Sequence, residues 1–439
     1  MADGSGSKTF EALLPGMGQE REQQKWQEIY WNAGAPGHEA ERPLACKFMA
    51  EQLGPGTPAP IRAWLLRQLE RTGRGECVDG VAAVVTAASS DNQAVETAAL
   101  AALGGVGDCS TLPLLVQAIQ HGGNAAGTAR HSLETVFADG VGQALIHTMK
   151  KTEDRGRRAL FIEIHNRRRA PSAVPALLQE VASDDGNVRR RAISALGNVA
   201  RPEDGTDLIH GLLKIQDAGE RDEAVRAVAA VCARIADDAR QADPVLDEYR
   251  KASPAEQLVL LPVLGRIGAR KALGLIREAV AGPDPKRRDS GHQALFNWPD
   301  STVADDLASL AETAPDRDLK IRAIQALERV VILPGARTDD AKLALLARAI
   351  KQAGRNEDRR LILDRVREVH TFPAVRFAAG FLGEPKLASQ ACATIAELLH
   401  REEIRNPNQA EANKILDQVI ATSKDKSLVE RVKSFKSAK

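Results

Sequence analysis

Nine apolar residues return along this chain at nearly constant intervals: Leu69, Leu103, Leu133, Ile164, Leu196, Val231, Leu264, Leu295 and Leu327. The steps between them are 34, 30, 31, 32, 35, 33, 31 and 32 residues, a regularity that marks an internal repeat. Each unit holds two short amphipathic segments. In the clearest one, Ala192, Ile193, Ala195, Leu196 and Val199 share one helix face, and Leu208, Ile209, Leu212 and Leu213 share a face of the next. Between them, Ala200-Arg201-Pro202-Glu203-Asp204-Gly205 supplies the proline and glycine of a turn. Two helices this short cannot bury their apolar faces alone, so neighbouring units must stack and share one core. The expectation is an all-α protein, a right-handed superhelix of about ten to eleven helical hairpins.

The same pattern divides the chain into a flexible segment over 1–24, an aromatic-rich helical cap over 25–60, the repeat array over 61–425 and a basic helix or tail over 426–439. Pro113 and Pro175 fall near the starts of second helices, where a missing N–H costs nothing. Ser110, Ser172 and Ser301 stand nearby as expected N-caps. Gly104, Gly197 and Gly265 follow ladder residues, where the lack of a side chain lets helices approach closely.

The segment Asp185-Gly186-Asn187-Val188-Arg189, followed by Ala195-Leu196-Gly197, is similar to the D-x-x-V-R…A-L-G pattern of HEAT repeats. Asp284 to Arg288 with Ala294-Leu295 meets it in part, as does Asp318 to Arg322 with Ala326-Leu327. The resemblance covers residues 60–425 and implies a HEAT-type α-solenoid; about function it implies little. A narrower likeness lies in Leu13 to Gly54, with Pro15-Gly16-Met17, Trp26-Gln27-Glu28-Ile29 and Gly34-Ala35-Pro36-Gly37. It resembles the start of HEAT-rich regions in secreted bacterial multidomain proteins, some of which carry a sugar-hydrolase-like or haem-binding domain beyond the repeats.

Composition narrows the function classes. Sixty basic and 59 acidic residues leave a net charge of +1, which disfavours a uniformly basic nucleic-acid binder. Five scattered cysteines (Cys46, Cys77, Cys109, Cys232, Cys392) form no C-x-x-C pair, and the nine histidines show no ligand spacing. Walker, Rossmann, G-x-S-x-G and H-E-x-x-H signatures are all missing, so neither catalysis, a metal nor a cofactor is expected. No apolar run reaches the roughly 18 residues of a membrane span. The opening residues carry no signal-peptide pattern, which reads as cytoplasmic as written, or as periplasmic or secreted if a signal has been removed.

Two clusters are candidate contact sites. Arg155, Arg157, Arg158, Arg167, Arg168, Arg169, Arg189, Arg190 and Arg191 crowd into residues 155–191, where Glu163, Glu180, Asp184 and Asp185 are the only acids. Arg157/Arg158 and Arg189/Arg190/Arg191 hold equivalent places in successive repeats, so stacking is expected to align them as a ridge that suits phosphate or an acidic partner. The plainer reading has the arginine of D-x-x-V-R paired with the aspartate of its own or a neighbouring repeat. The second cluster is aromatic: Trp26, Tyr30, Trp31 and Trp64, read as a hydrophobic cap or a contact pocket. Phe296 and Trp298 in a later turn are a smaller candidate contact.

The function expected from these features is a non-catalytic protein-binding scaffold or adaptor, a monomer holding another protein or peptide on its concave face. Two alternatives stand beside it. One is a helical-repeat enzyme resembling a DNA glycosylase or a bilin lyase, although the middle of the chain has few aromatics to hold an extruded base. The other is an accessory region for a sugar-acting or redox partner.

Overall fold

The structure is a computed structural model and describes residues 42–87 and 93–437. The chain forms two compact units, one within residues 1–227 and one within 228–439. Among the described residues every regular element is a helix. The first unit opens with α1 (Arg42–Glu51). Five pairs follow: α2 (Ala59–Thr72) with α3 (Val78–Ala87), α4 (Gln93–Val106) with α5 (Leu112–His121), α6 (Gly123–Thr135) with α7 (Val141–Lys151), α8 (Arg155–Arg167) with α9 (Val174–Glu180), and α10 (Gly186–Val199) with α11 (Gly205–Leu213). First helices stack in order, α2 on α4, α4 on α6, α6 on α8 and α8 on α10.

Helix α12 (Ala218–Cys232) carries residues of both units. The second unit continues with α13 (Asp243–Lys251), α14 (Pro254–Ile267), α15 (Leu273–Ala281), α16 (Pro285–Phe296), α17 (Ala304–Thr313), α18 (Arg317–Val330), α19 (Asp339–Gln352), α20 (Asn356–Val366), α21 (Phe372–Ala379) and α22 (Ala388–His400). A short α23 (Glu402–Arg405), α24 (Gln409–Thr422) and α25 (Lys426–Ser437) close it. Val432 and Phe435 of α25 are buried, and the helix packs on α22 and α24. All nine ladder residues are 1% exposed or less, so the repeat spacing marks the core of each unit.

The Asp-x-x-Val-Arg segment shows why the chain turns where it does. Asp185 Oδ1 accepts from the backbone N–H of Asn187 at 2.9 Å and of Val188 at 3.0 Å, capping the start of α10. Arg189 reaches backwards and donates to the carbonyls of Ser183 at 2.8 Å and Asp184 at 3.1 Å, in the turn that closes the preceding pair. One motif thus satisfies orphan groups on both sides of the junction. The same backward reach recurs in Arg158 to Thr152, Arg221 to Ile215, Arg288 to Gly282 and Arg405 to Leu399.

The expected serine caps are corrected. Asp108 accepts from Ser110 N at 2.8 Å and Asp300 from Thr302 N at 2.7 Å, placing Ser110 and Ser301 inside the turn. Ser172 lies within the turn Pro171–Ala173, which has no side-chain cap. A carboxylate ahead of the serine reaches the free N–H, and its charge suits the positive end of the turn. Pro113 and Pro175 do sit at the second helical positions of α5 and α9, within the first turn.

Unit two also contains a buried carboxylate with a measurable consequence. Glu328 on α18 is raised to about 7, chiefly by burial, with Arg365 and Arg355 pulling it down and Asp358 pushing it up. Its protonated form is the one the fold favours. The stabilisation is therefore complete below the ordinary glutamate range and lost as pH rises through about 7. Glu328→Gln, which mimics the protonated form, should leave stability unchanged near pH 4 and add about 1–2 kcal/mol at pH 8. Urea titrations of both proteins at several pH values would test this. A difference that does not grow with pH would refute it.

Candidate functional site

Helix α8 separates the nine arginines into two groups. Arg155, Arg157 and Arg158 occupy its first turn, whereas Arg167 ends it and Arg168 and Arg169 follow. At 1.5 Å per residue the groups lie roughly 15 Å apart along the helix, so they do not form one continuous patch. Arg189 ends the first turn of α10 and Arg190 and Arg191 open its second, beside the first group.

Within this first group the charges divide into structural and exposed ones. Arg189 binds Glu220 through two parallel bonds of 2.7 and 2.9 Å, and Glu220 is only 3% exposed. Arg158 donates to Thr152 O at 2.6 Å and lies 3.8 Å from Glu180. Arg191 and Arg130 both pair with Glu163. Burial alone would raise the Glu163 carboxyl, but the two guanidiniums overcome it and hold it below the usual range. The partners of these arginines come mostly from glutamates and carbonyls, not from the motif aspartate, because Asp185 is already engaged as a cap.

Arg155, Arg157 and Arg190 remain mostly exposed, with their nearest carboxylates at 3.9 Å (Asp185), 3.9 Å (Asp154) and 3.8 Å (Glu220). Such loose ionic contacts at the surface hold little energy. Arg157 also donates to the side-chain oxygen of Gln120 at 2.9 and 3.2 Å, which leaves Arg155 and Arg190 the freer cations. A cleft of about 670 Å³ also opens in the first unit, lined by Arg189, His210, Lys214, Asp217 and the apolar Leu178 and Val181.

At the other end of α8, Arg168 donates to Leu133 O at 3.0 Å and lies 5.4 Å from the ring centre of Phe137. Phe137 is 86% exposed. Arg167 and Arg169 are exposed and have no ionic partner among the described residues; Arg169 takes a left-handed backbone with φ of 47°. Between the two ends, burial drives the His165 imidazole down to about 4, and the nearby Arg168 adds to that, so it stays neutral at pH 7. Phe137 escaped the sequence reading because a lone aromatic in a turn carries no periodic signal.

Trp26, Tyr30 and Trp31 lie outside the described residues. Trp64 is half-buried on α2. The later candidate changes character: Trp298 is 0% exposed and belongs to the core of the second unit. Phe296 is half-buried with Arg322 4.7 Å above its ring.

Known structures share this architecture. Kap121p bound to Pho4p superposes with a TM-score of 0.52 at 12% identity, covering 98% of this chain and 57% of that one. Kap121p bound to Ste12p gives 0.51 at 12%, covering 99% and 57%. Kap121p bound to Nup53p gives 0.51 at 12%, again covering 99% and 57%. The chain thus spans a little over half the length of these proteins. No protein-family model matches the sequence, and no curated protein does either. At 12% identity the likeness establishes the fold alone, and that fold is the all-α HEAT-repeat solenoid.

Proposed function

We propose that the chain is a non-catalytic, monomeric scaffold that binds an acidic segment of another protein. The observation that carries this reading is the division of labour within the basic cluster. Arg158 and Arg189 are spent on helix junctions, while Arg155, Arg157 and Arg190 stand exposed above them on two stacked helices. Guanidiniums on a rigid frame lose little freedom when they meet carboxylates. The Kap121p structures, bound to Pho4p, Ste12p and Nup53p, support the idea that a stack of this kind takes proteins as partners. The narrower likeness to secreted bacterial HEAT regions would make that partner a sugar-acting or redox protein.

Affinity capture with the immobilised chain provides the test, using Arg155→Glu/Arg157→Glu/Arg190→Glu beside Arg167→Glu/Arg169→Glu. The triple variant should weaken capture of a specific acidic protein about tenfold or more, and salt should weaken it further. Equal capture by wild type and triple variant would remove the contact face from this cluster. Salt-sensitive retention of nucleic acid in place of a protein would overturn the scaffold reading itself.

A further inference from the structure

Cys46 and Cys77 are 31 residues apart, outside any ligand spacing that a sequence would reveal. The fold closes that distance. Cys46 lies on α1, and Cys77 ends the short turn Gly75–Cys77 against which α1 packs. The two Sγ atoms and a carboxylate oxygen of Glu76 all fall within 4.8 Å of one another. Both cysteines are buried, at 1% and 0% exposed, while Glu76 keeps one side towards solvent. Arg42 pairs with Glu76 Oε1 at 2.6 Å and donates to Thr72 O at 2.8 Å. Thr72 Oγ1 in turn lies 3.8 Å from Cys46 Sγ.

We propose that Cys46, Cys77 and Glu76 form a binding site for a thiophilic divalent cation with a filled d shell, zinc above all, that clasps α1 to the first repeat. Two thiolates and a carboxylate are the mixed soft and hard donors that such an ion prefers. Charge supports it as well: three anionic ligands and a dication sum to −1, and Arg42 brings the buried cluster to neutrality. Arg42 also fixes the carboxylate from outside the ligand set, as outer partners of metal ligands do. Three protein donors leave one tetrahedral position on the Glu76 side, open to water. Binding would release the protons held on the two sulfurs to solvent, so affinity rises with pH. Among the described residues no other group of cysteines, histidines and acids comes together in this way. Cys232 and Cys392 are buried outside any such cluster, and Cys109 is exposed.

The test is a cadmium titration of the full-length chain, reduced and stripped with chelator, in a Cys109→Ala background that removes the exposed thiol. The ultraviolet thiolate-to-cadmium band should saturate at one ion per chain and be displaced by zinc. Both Cys46→Ala and Cys77→Ala should abolish it, Glu76→Gln should weaken binding about 10–100-fold, and Cys232→Ala should leave it intact. Absence of the band in the folded parent protein overturns the proposal, whatever the variants do. So does a band that survives Cys77→Ala. Conversion of the pair to a disulfide by peroxide with no cadmium uptake would also overturn it, making the pair a redox couple.

Discussion

Gly265→Ala should destabilise the second unit by about 3 kcal/mol or more, although it adds a single methyl group. Gly265 lies on α14 where that helix meets α16. A Cβ at this position would stand 2.2 Å from the carbonyl oxygen of Ala294, 2.4 Å from its Cα and 2.6 Å from its carbonyl carbon. Those are backbone atoms of a packed helix, so no side chain can rotate aside to make room. Relief requires the two helices to separate, which thins the core around Leu264 and Leu295. Gly274→Ala on α15 is the control: a Cβ there meets nothing within 4 Å, and the backbone is helical. That variant should be neutral or stabilised by up to about 1 kcal/mol, because alanine is the better helix former. Thermal unfolding followed by circular dichroism separates them, with an expected loss of about 6–12 °C for Gly265→Ala. Similar melting of the two variants would show that close approach of α14 and α16 is not what holds this unit.

The contrast between those glycines also shows what a sequence of this type makes legible. Period and polarity are local quantities repeated many times, so the ladder from Leu69 to Leu327 identified the core with every member buried. Gly104 and Gly197 were readable for the same reason as Gly265. Added Cβ atoms would lie 3.1 Å from Ser132 Cα and 3.1 Å from Ala227 Cβ, respectively. What failed was the choice between equivalent chemical partners. Asp108 and Ser110 are both able caps, and only the backbone path decides that the aspartate accepts. The arginines near residue 160 posed a harder problem. Sequence proximity joined Arg157 and Arg167, yet they stand at opposite ends of one helix, while Arg191 meets Glu163 from the preceding repeat. Contacts that span 28 to 35 residues, such as Arg189 with Glu220, depend on how successive repeats are registered. Hydrophobic spacing constrains that register for the core face and leaves it open for the polar edges. The Cys46–Cys77 pair went unseen for the same reason.

Trp298 is where this difference has its largest energetic consequence. Read as part of a turn, Leu295-Phe296-Asn297-Trp298-Pro299-Asp300 offers an aromatic for contact with a partner, and truncating it should then leave stability within about 0.5 kcal/mol. The structure places the indole entirely inside, with Nε1 donating to Asp300 Oδ1 at 2.9 Å. Asp300 also accepts from Thr302 N, so the same carboxylate fixes the ring and starts the turn before α17. Arg329 of α18 donates to the carbonyls of Trp298 and Phe296, both at 2.8 Å, binding this turn to the next repeat. Trp298→Ala should therefore cost about 3–5 kcal/mol through lost burial and the cavity left behind. Trp298→Phe retains most of the packing but leaves Asp300 without its indole donor, and should cost about 1–2 kcal/mol. Urea unfolding of the three proteins, followed by circular dichroism, gives the ordering directly. Wild-type stability in the alanine variant, together with weakened partner capture, would return Trp298 to the surface role. A large loss for alanine and a small one for phenylalanine would establish that the turn is held from within, by a buried ring whose one polar atom is answered by the residue that caps the turn ahead of the next helix.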